Sequence, residues 1–239
     1  GCGLPSSGDS HHHHHHHGDS QERSREIQVQ QNVMAKNNAY ALQNRQMLEA
    51  KSSLALNLIS SPGSGKTTLL TKTLDKLKQW RPLAVVEGDL QTDNDAEKIR
   101  TTGVPVHQIN TENACHLDAH MVGHAYGHLG LKDRSVVFIE NVGNLVCPAS
   151  FDLGEAATVV LLSVTEGDDK PAKYPVAFLN AQVLLITKTD LLPHVDFSLE
   201  TCRKLARAVN PNLEIFEVSS RSGEGLDDWC SWIRKKAGE

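Results

Sequence analysis

The stretch Ser60-Ser61-Pro62-Gly63-Ser64-Gly65-Lys66-Thr67-Thr68 constrains this chain more than any other. An apolar run, Leu54-Ala55-Leu56-Asn57-Leu58-Ile59, precedes it, and Leu69-Leu70-Thr71-Lys72-Thr73-Leu74 follows. The order is strand, glycine-rich loop, helix, which is the context of a phosphate-binding P-loop. Gly63 and Gly65 let backbone N–H groups, with that of Ser64 between them, turn toward an anion. The N-terminus of the following helix adds to the attraction. Lys66 is placed to reach the β- and γ-phosphates, Thr67 to ligate Mg²⁺, and Thr68 to extend the cradle. The pattern G-x-x-x-x-G-K-[ST] opens on glycine, and here Ser60 stands in that place.

From Leu54 onward, apolar β-branched runs alternate with helical segments. Strands are expected at 54–59, 83–87, 105–109, 135–139, 158–164, 183–187 and 213–218, and helices at 66–79, 93–101, 116–130, 198–208 and 224–236. Such alternation predicts an α/β fold of the P-loop NTPase kind: a mostly parallel sheet flanked by helices, with ligands at the carboxyl ends of the strands. The expected division is a His-rich tail over 1–20, a helical extension over 21–51 and a nucleotide domain over 52–239.

Motifs collect at those strand ends. Glu87-Gly88-Asp89-Leu90-Gln91-Thr92-Asp93 follows the second strand, and Asp89 is the expected carboxylate for Mg²⁺ or for an attacking water. Asp93 and Asp95 read as helix-capping groups. The fourth strand ends in Glu140-Asn141-Val142-Gly143, where Glu140 resembles a Walker B acid and Gly143 allows backbone to meet the γ-phosphate. Thr187-Lys188-Thr189-Asp190 has the T-K-x-D form in which the aspartate accepts from guanine N1–H and the exocyclic amine while the lysine stem covers the base. Adenine lacks that donor pair and would leave a carboxylate unpaired. Ser219 and Ser220 sit in the loop that would close over guanine. GTP and GDP are therefore the expected nucleotides, and Lys66, Asp89 and Glu140 the catalytic set.

Soft ligands stand on two of the same loops. Cys115-His116 follows the third strand and Cys147-Pro148 the Glu140 element, so in a parallel sheet all three can converge on one edge. Two thiolates and an imidazole suit Zn²⁺, or Ni²⁺ where the geometry can approach square-planar. His120, His124 and His128 continue from His116 at four-residue steps, which places four imidazoles on one helix face; His120 is a further candidate ligand. Cys202 and Cys230 fall within amphipathic helices as packing residues.

Residues 21–51 read as a helix, with Ile27, Met34, Ala41 and Leu48 in a stripe that Leu42 and Met47 broaden. It either packs on the main domain or docks elsewhere. Residues 1–20 hold Cys2 and an unbroken run of His11, His12, His13, His14, His15, His16 and His17, with almost nothing to bury. The run is either an affinity tag or a native metal-binding tract. Net charge is −5 in 239 residues, so no basic footprint for nucleic acid is present. No apolar run approaches the roughly 20 residues that span a bilayer, and five scattered cysteines suit a cytoplasmic protein.

Taken together, S-S-P-G-S-G-K-T-T, E-G-D-L-Q-T-D-N-D, N-A-C-H-L-D-A, E-N-V-G-N-L-V-C-P and E-G-D-D-K-P-A-K-Y-P resemble the hydrogenase nickel-incorporation GTPases, the HypB family. The resemblance covers about Asn37 to the end. It implies a P-loop GTPase of the dimerising class, slow in hydrolysis, that binds nickel or zinc through Cys115, His116 and Cys147 near the interface. It further implies a homodimer on GTP binding, a small zinc-binding maturation partner, and delivery of nickel to a [NiFe]-hydrogenase large subunit. Lys170, in the last of these motifs, would contact phosphate or base. Family members can carry an N-terminal C-x-x-C-G-C site, of which Gly1-Cys2-Gly3 could be only the tail. A urease-type delivery GTPase would show Cys-Pro-His on one loop, whereas here Cys-His and Cys-Pro are separate. The alternative from another class is a nickel or zinc storage protein with a weak GTPase.

Overall fold

A computed structural model describes residues 18–88, 93–111 and 114–239. Cys2, the His11–His17 run and Asp89 lie outside the described residues. The chain divides into two compact units, Gly1–Ala35 and Lys36–Glu239, and helix α1 (Gly18–Ala50) contributes to each.

In the second unit seven strands form one all-parallel sheet: β1 (Leu54–Ser60), β2 (Leu83–Glu87), β3 (Val106–Gln108), β4 (Val136–Gly143), β5 (Ala157–Ser163), β6 (Val183–Thr187) and β7 (Glu214–Val218). Their order is β3-β2-β4-β1-β5-β6-β7, with β1 at the centre. The inner strands are nearly continuous Val, Ile, Leu and Ala because both faces are covered. Leu56 and Leu58 of β1 point to a layer made by α2 (Lys66–Leu77), α3 (Asp93–Arg100) and α8 (Leu226–Lys236), with Leu70, Leu74, Ile99 and Trp229 at its core. On the opposite face Ile59 meets α6 (Pro175–Asn180) and α7 (Leu199–Val209), while Ala55 meets α4 (Ala119–Leu129) and Leu48 of α1. The short α5 (Lys170–Lys173) completes the helices, and 3-10 turns cover Pro148–Ser150 and Thr189–His194.

Three sequence expectations change. The helix expected to open at 116 starts at Ala119, where the Asp118 carboxylate accepts from Met121 N–H at 2.8 Å. His116 therefore lies before the helix, and the four-imidazole stripe is limited to His120, His124 and His128. The fourth strand does not stop at 139 but continues through Gly143, which carries Glu140 and Asn141 inside the sheet. Leu42, expected to widen the buried stripe of α1, is 52% exposed. Polar residues hold that helix beside the buried Ala41 and Leu48. Asn37 donates to Asp152 O and accepts from Ala119 N–H, and Asn44 donates to Ala119 O and Leu153 O. Arg45 pairs with Asp152 at 3.0 Å.

Candidate functional site: a nucleotide cradle joined to a cysteine–histidine centre

The loop after β1 takes its shape from two glycines. Gly63 (φ 77°) and Gly65 (φ 87°) occupy the left-handed region, and Gly65 caps α2. Ser60 remains within β1, is 1% exposed and has no positive φ, so the place normally given to glycine makes no conformational demand that serine cannot meet. Its hydroxyl donates to Ser61 O at 2.9 Å. Residues Ser60–Thr68, with Lys98, Val142, Gly143 and Lys188, line a cavity of about 510 Å³, within the range of small-ligand sites. Gly143 packs closely on the loop: a Cβ there would stand 3.3 Å from Pro62 Cγ.

Two side chains of the loop reach β4. Lys66, 5% exposed, donates its ammonium to Asn141 O. The Thr67 hydroxyl donates to Glu140 Oε1 at 2.6 Å. A hydroxyl and a carboxylate so placed beside a phosphate loop form the oxygen pair that Mg²⁺ favours. Glu140 and Glu87 are both fully buried, and they are register partners on β4 and β2. Sequence reading chose Asp89 and passed over Glu87. The signal that could have found it is the strand itself, because Glu87 ends β2 as Glu140 ends the apolar run of β4.

The T-K-x-D segment lies across the same cradle. The Thr187 hydroxyl donates to Ser64 O at 2.7 Å, and Lys188, at φ 59°, donates its ammonium to Gly63 O at 2.6 Å. Lys188 Cε would be 3.5 Å from a Cβ on Gly65, so the lysine stem runs against the phosphate loop. Asp190 accepts from the Ser219 hydroxyl at 2.6 Å. Ser219 Oγ also accepts from Arg221 and Ser222 N–H, and this folds Ser219 and Ser220 into a tight loop. Gly225 (φ 72°) makes the loop possible, because a Cβ there would sit 1.9 Å from Glu217 O. The Lys170 ammonium lies 3.8 Å from Glu166 Oε1 and 5.0 Å from the Tyr174 ring centroid.

The ligand atoms of Cys115, His116 and Cys147 all lie within 4.8 Å of one another. Cys115 Sγ is 3.5 Å from His116 Nδ1, and the His116 ring stacks on Phe151 at 3.9 Å. Cys147 leads into the turn Pro148–Ser150, and Val146 N–H is held by Asn144 Oδ1 at 2.7 Å. The hydrogen bond with Cys147, followed by burial, raises the Cys115 thiol, while burial lowers the His116 imidazole. At neutral pH Cys115 therefore stands as a thiol beside the neutral His116 imidazole, and an incoming ion must displace its proton. Three ligands leave a tetrahedral ion one open position. His120 does not join them; it lies 4.7 Å from the Tyr40 ring. Cys202 and Cys230 are buried in α7 and α8, with burial pushing their thiols up to about 12 and about 11.

Asn141 links the two sites. Fully buried, it accepts from Leu117 N–H (3.2 Å) and Val142 N–H (2.9 Å), and donates to Asn57 Oδ1 (3.1 Å). Asn57 in turn donates to Glu155 Oε1 at 3.2 Å. Leu117 is next to His116 in the loop before α4, and its side chain occupies the space a Cβ on Gly88 would need, at 2.7 Å.

The family description "CobW/HypB/UreG, nucleotide-binding domain" matches residues 54–217. The chain is 58% identical over 216 residues to a hydrogenase maturation factor HypB of Azotobacter chroococcum, spanning 90% of this chain and 71% of that protein. Among solved structures, HypB from Archaeoglobus fulgidus superposes with a TM-score of 0.81 at 36% identity, covering 86% of this chain and all of that one. HypB from Helicobacter pylori, solved in complex with nickel, gives 0.78 at 40% identity, covering 84% and 95%. A match through most of the nucleotide fold, together with relatives this similar, places the chain in the CobW/HypB/UreG family, among the HypB hydrogenase maturation factors.

Proposed function

We propose that the chain is a GTP-hydrolysing nickel metallochaperone that supplies a [NiFe]-hydrogenase large subunit, with GTP-dependent dimerisation coupled to metal binding and release. The observation that carries this reading is the pair Glu140-Asn141. Glu140 accepts from the P-loop Thr67, and Asn141 accepts Lys66 on its backbone and Leu117 of the metal loop on its side chain. A nucleotide that draws Lys66 or Thr67 toward its phosphates therefore acts on residues bonded to the metal loop.

Lys66 and the loop N–H groups orient the γ-phosphate, and Glu140 with Asp89 holds the cation or the attacking water. Bound Mg²⁺ would sit with Thr67, Asp89 and Glu140 and neutralise developing phosphate charge. Asp190 selects guanine, with Ser219 and Ser220 closing the base site. Hydrolysis is slow while one monomer lacks an element that its dimer partner completes. Nickel or zinc is cargo on Cys115, His116 and Cys147, and the relative solved with nickel supports that choice of ion. Residues 1–20 serve as a metal-collecting tail, 21–51 as an extension and 52–239 as the GTPase domain, in a cytoplasmic protein working with a small zinc-binding maturation partner. Among the described residues no helix is long and apolar enough to cross a membrane.

The test is titration of metal-free protein with Ni²⁺ and Zn²⁺, alone and with a GTP analogue, while oligomeric state is followed. With residues 1–20 removed from every sample, Cys115→Ala and Cys147→Ala should each abolish tight binding, and the nucleotide should shift metal affinity or dimerisation. Coupling is reciprocal, so nickel must change GTP-analogue affinity by the same factor. A metal affinity and an oligomeric state both indifferent to nucleotide would refute the coupling. Lys66→Ala separates delivery from storage: delivery fails, whereas a storage protein keeps its metal load.

A further inference from the structure

Outside both sites, three imidazoles from two elements crowd together. His124 and His128 stand four residues apart on one face of α4, both exposed, with ring centroids 4.8 Å apart. His107, half-buried on β3, stacks on His128 with centroids 4.7 Å apart and planes within 2°.

We propose that His107, His124 and His128 form a second binding site for a divalent transition-metal ion, separate from Cys115, His116 and Cys147. The scaffold is fixed at both ends. His107 is held in register against Val86 of β2, and α4 is capped by Asp118 and closed by Gly130 at φ 56°. Burial, and then the neighbouring His128 and His124, lower the His107 imidazole, so its ring stays neutral and keeps a lone pair for a metal. Neutral imidazoles suit Ni²⁺, Zn²⁺ and Cu²⁺ and discriminate against Mg²⁺ and Ca²⁺.

Among the described residues only the Cys115 group already has its ligand atoms within 4.8 Å of one another. The histidine rings touch without converging. Rotation about the side-chain bonds of the exposed His124 and His128 turns their nitrogens toward a common ion; exposed side chains make such moves within nanoseconds. With no thiolate, the trio binds more weakly than the cysteine centre and exchanges its ion faster.

The test uses the chain with Cys2, Cys115, Cys147, His116, His120 and each of His11–His17 changed to Ser, which removes the ligands of the cysteine centre and of the tail. Titration with Ni²⁺ and Zn²⁺ should still find one equivalent. Substituting His124→Gln together with His128→Gln should abolish it, and His107→Gln should weaken it by about tenfold or more, as expected for loss of a coordinating group. Cu²⁺ bound to the chain that retains the trio should show three nitrogen donors by electron paramagnetic resonance, a readout that does not depend on the variants folding. No retained equivalent, full affinity in His107→Gln, or fewer than three nitrogens would overturn the site.

Discussion

Replacing Asn141 with Ala tests whether one buried amide supports both the fold and the metal loop. The side chain is 0% exposed and makes three hydrogen bonds, at 3.2, 2.9 and 3.1 Å. At a net value of about 1 kcal/mol each, and with the abandoned partners left in the interior, the variant should lose about 3 kcal/mol of stability. Urea unfolding followed by tryptophan fluorescence measures this, since Trp229 is 1% exposed in the folded chain. A cycle with Asn57→Ala should give a coupling of about 0.5–3 kcal/mol, because the two amides share one bond in a single network. Metal affinity should fall in the folded variant, since Leu117 N–H loses its acceptor and His116 is the next residue. A loss below about 1 kcal/mol with unchanged metal affinity would mean that water or backbone replaces Asn141, and the proposed link between the sites would fail.

Three other outcomes follow from the geometry. Asp190→Asn removes a charged acceptor from the base site and should weaken GTP binding about 10- to 100-fold, the equivalent of one or two charged hydrogen bonds; unchanged affinity for a fluorescent GTP analogue would contradict the guanine assignment. Gly225→Ala forces a Cβ to 1.9 Å from Glu217 O at φ 72° and should cost at least about 2 kcal/mol in urea unfolding, with loosening of the Ser219 loop. Metal affinity at the cysteine centre should rise with pH, because the Cys115 thiol is raised and must lose its proton to bind. The gain is about tenfold per pH unit for each proton released, levelling off once Cys115 is ionised. His116 is lowered and protonates only at more acid pH than an ordinary histidine, so it adds a second loss there. Calorimetry in buffers of different ionisation enthalpy counts the protons, and a pH-independent affinity would refute the account.

Sequence alone determined the sheet and which loops its strand ends bring together. Uninterrupted apolar strands such as Val136–Ile139 can only be buried on both faces, which requires helices between parallel strands. Gly63, Gly65, Lys66 and Thr67 carried the phosphate reading because that spacing encodes a local backbone shape. Cys115, His116 and Cys147 were legible because parallel strands deliver their following loops to one edge. What no local pattern contained was the pairing of distant residues. Asn141 had no assigned role in the sequence; β4, by extending past Ile139, brings its amide to Asn57 and Leu117, 84 and 24 positions away. Asn37 and Asn44 had no part in the apolar stripe read from the helix, yet they anchor it, because an amide can satisfy buried backbone groups that leucine cannot. The register of Glu87 with Glu140 came from the sheet, and His107 acquired meaning only through its place beside α4. Periodicity records which face of an element is apolar; tertiary structure alone decides which polar groups that face must satisfy.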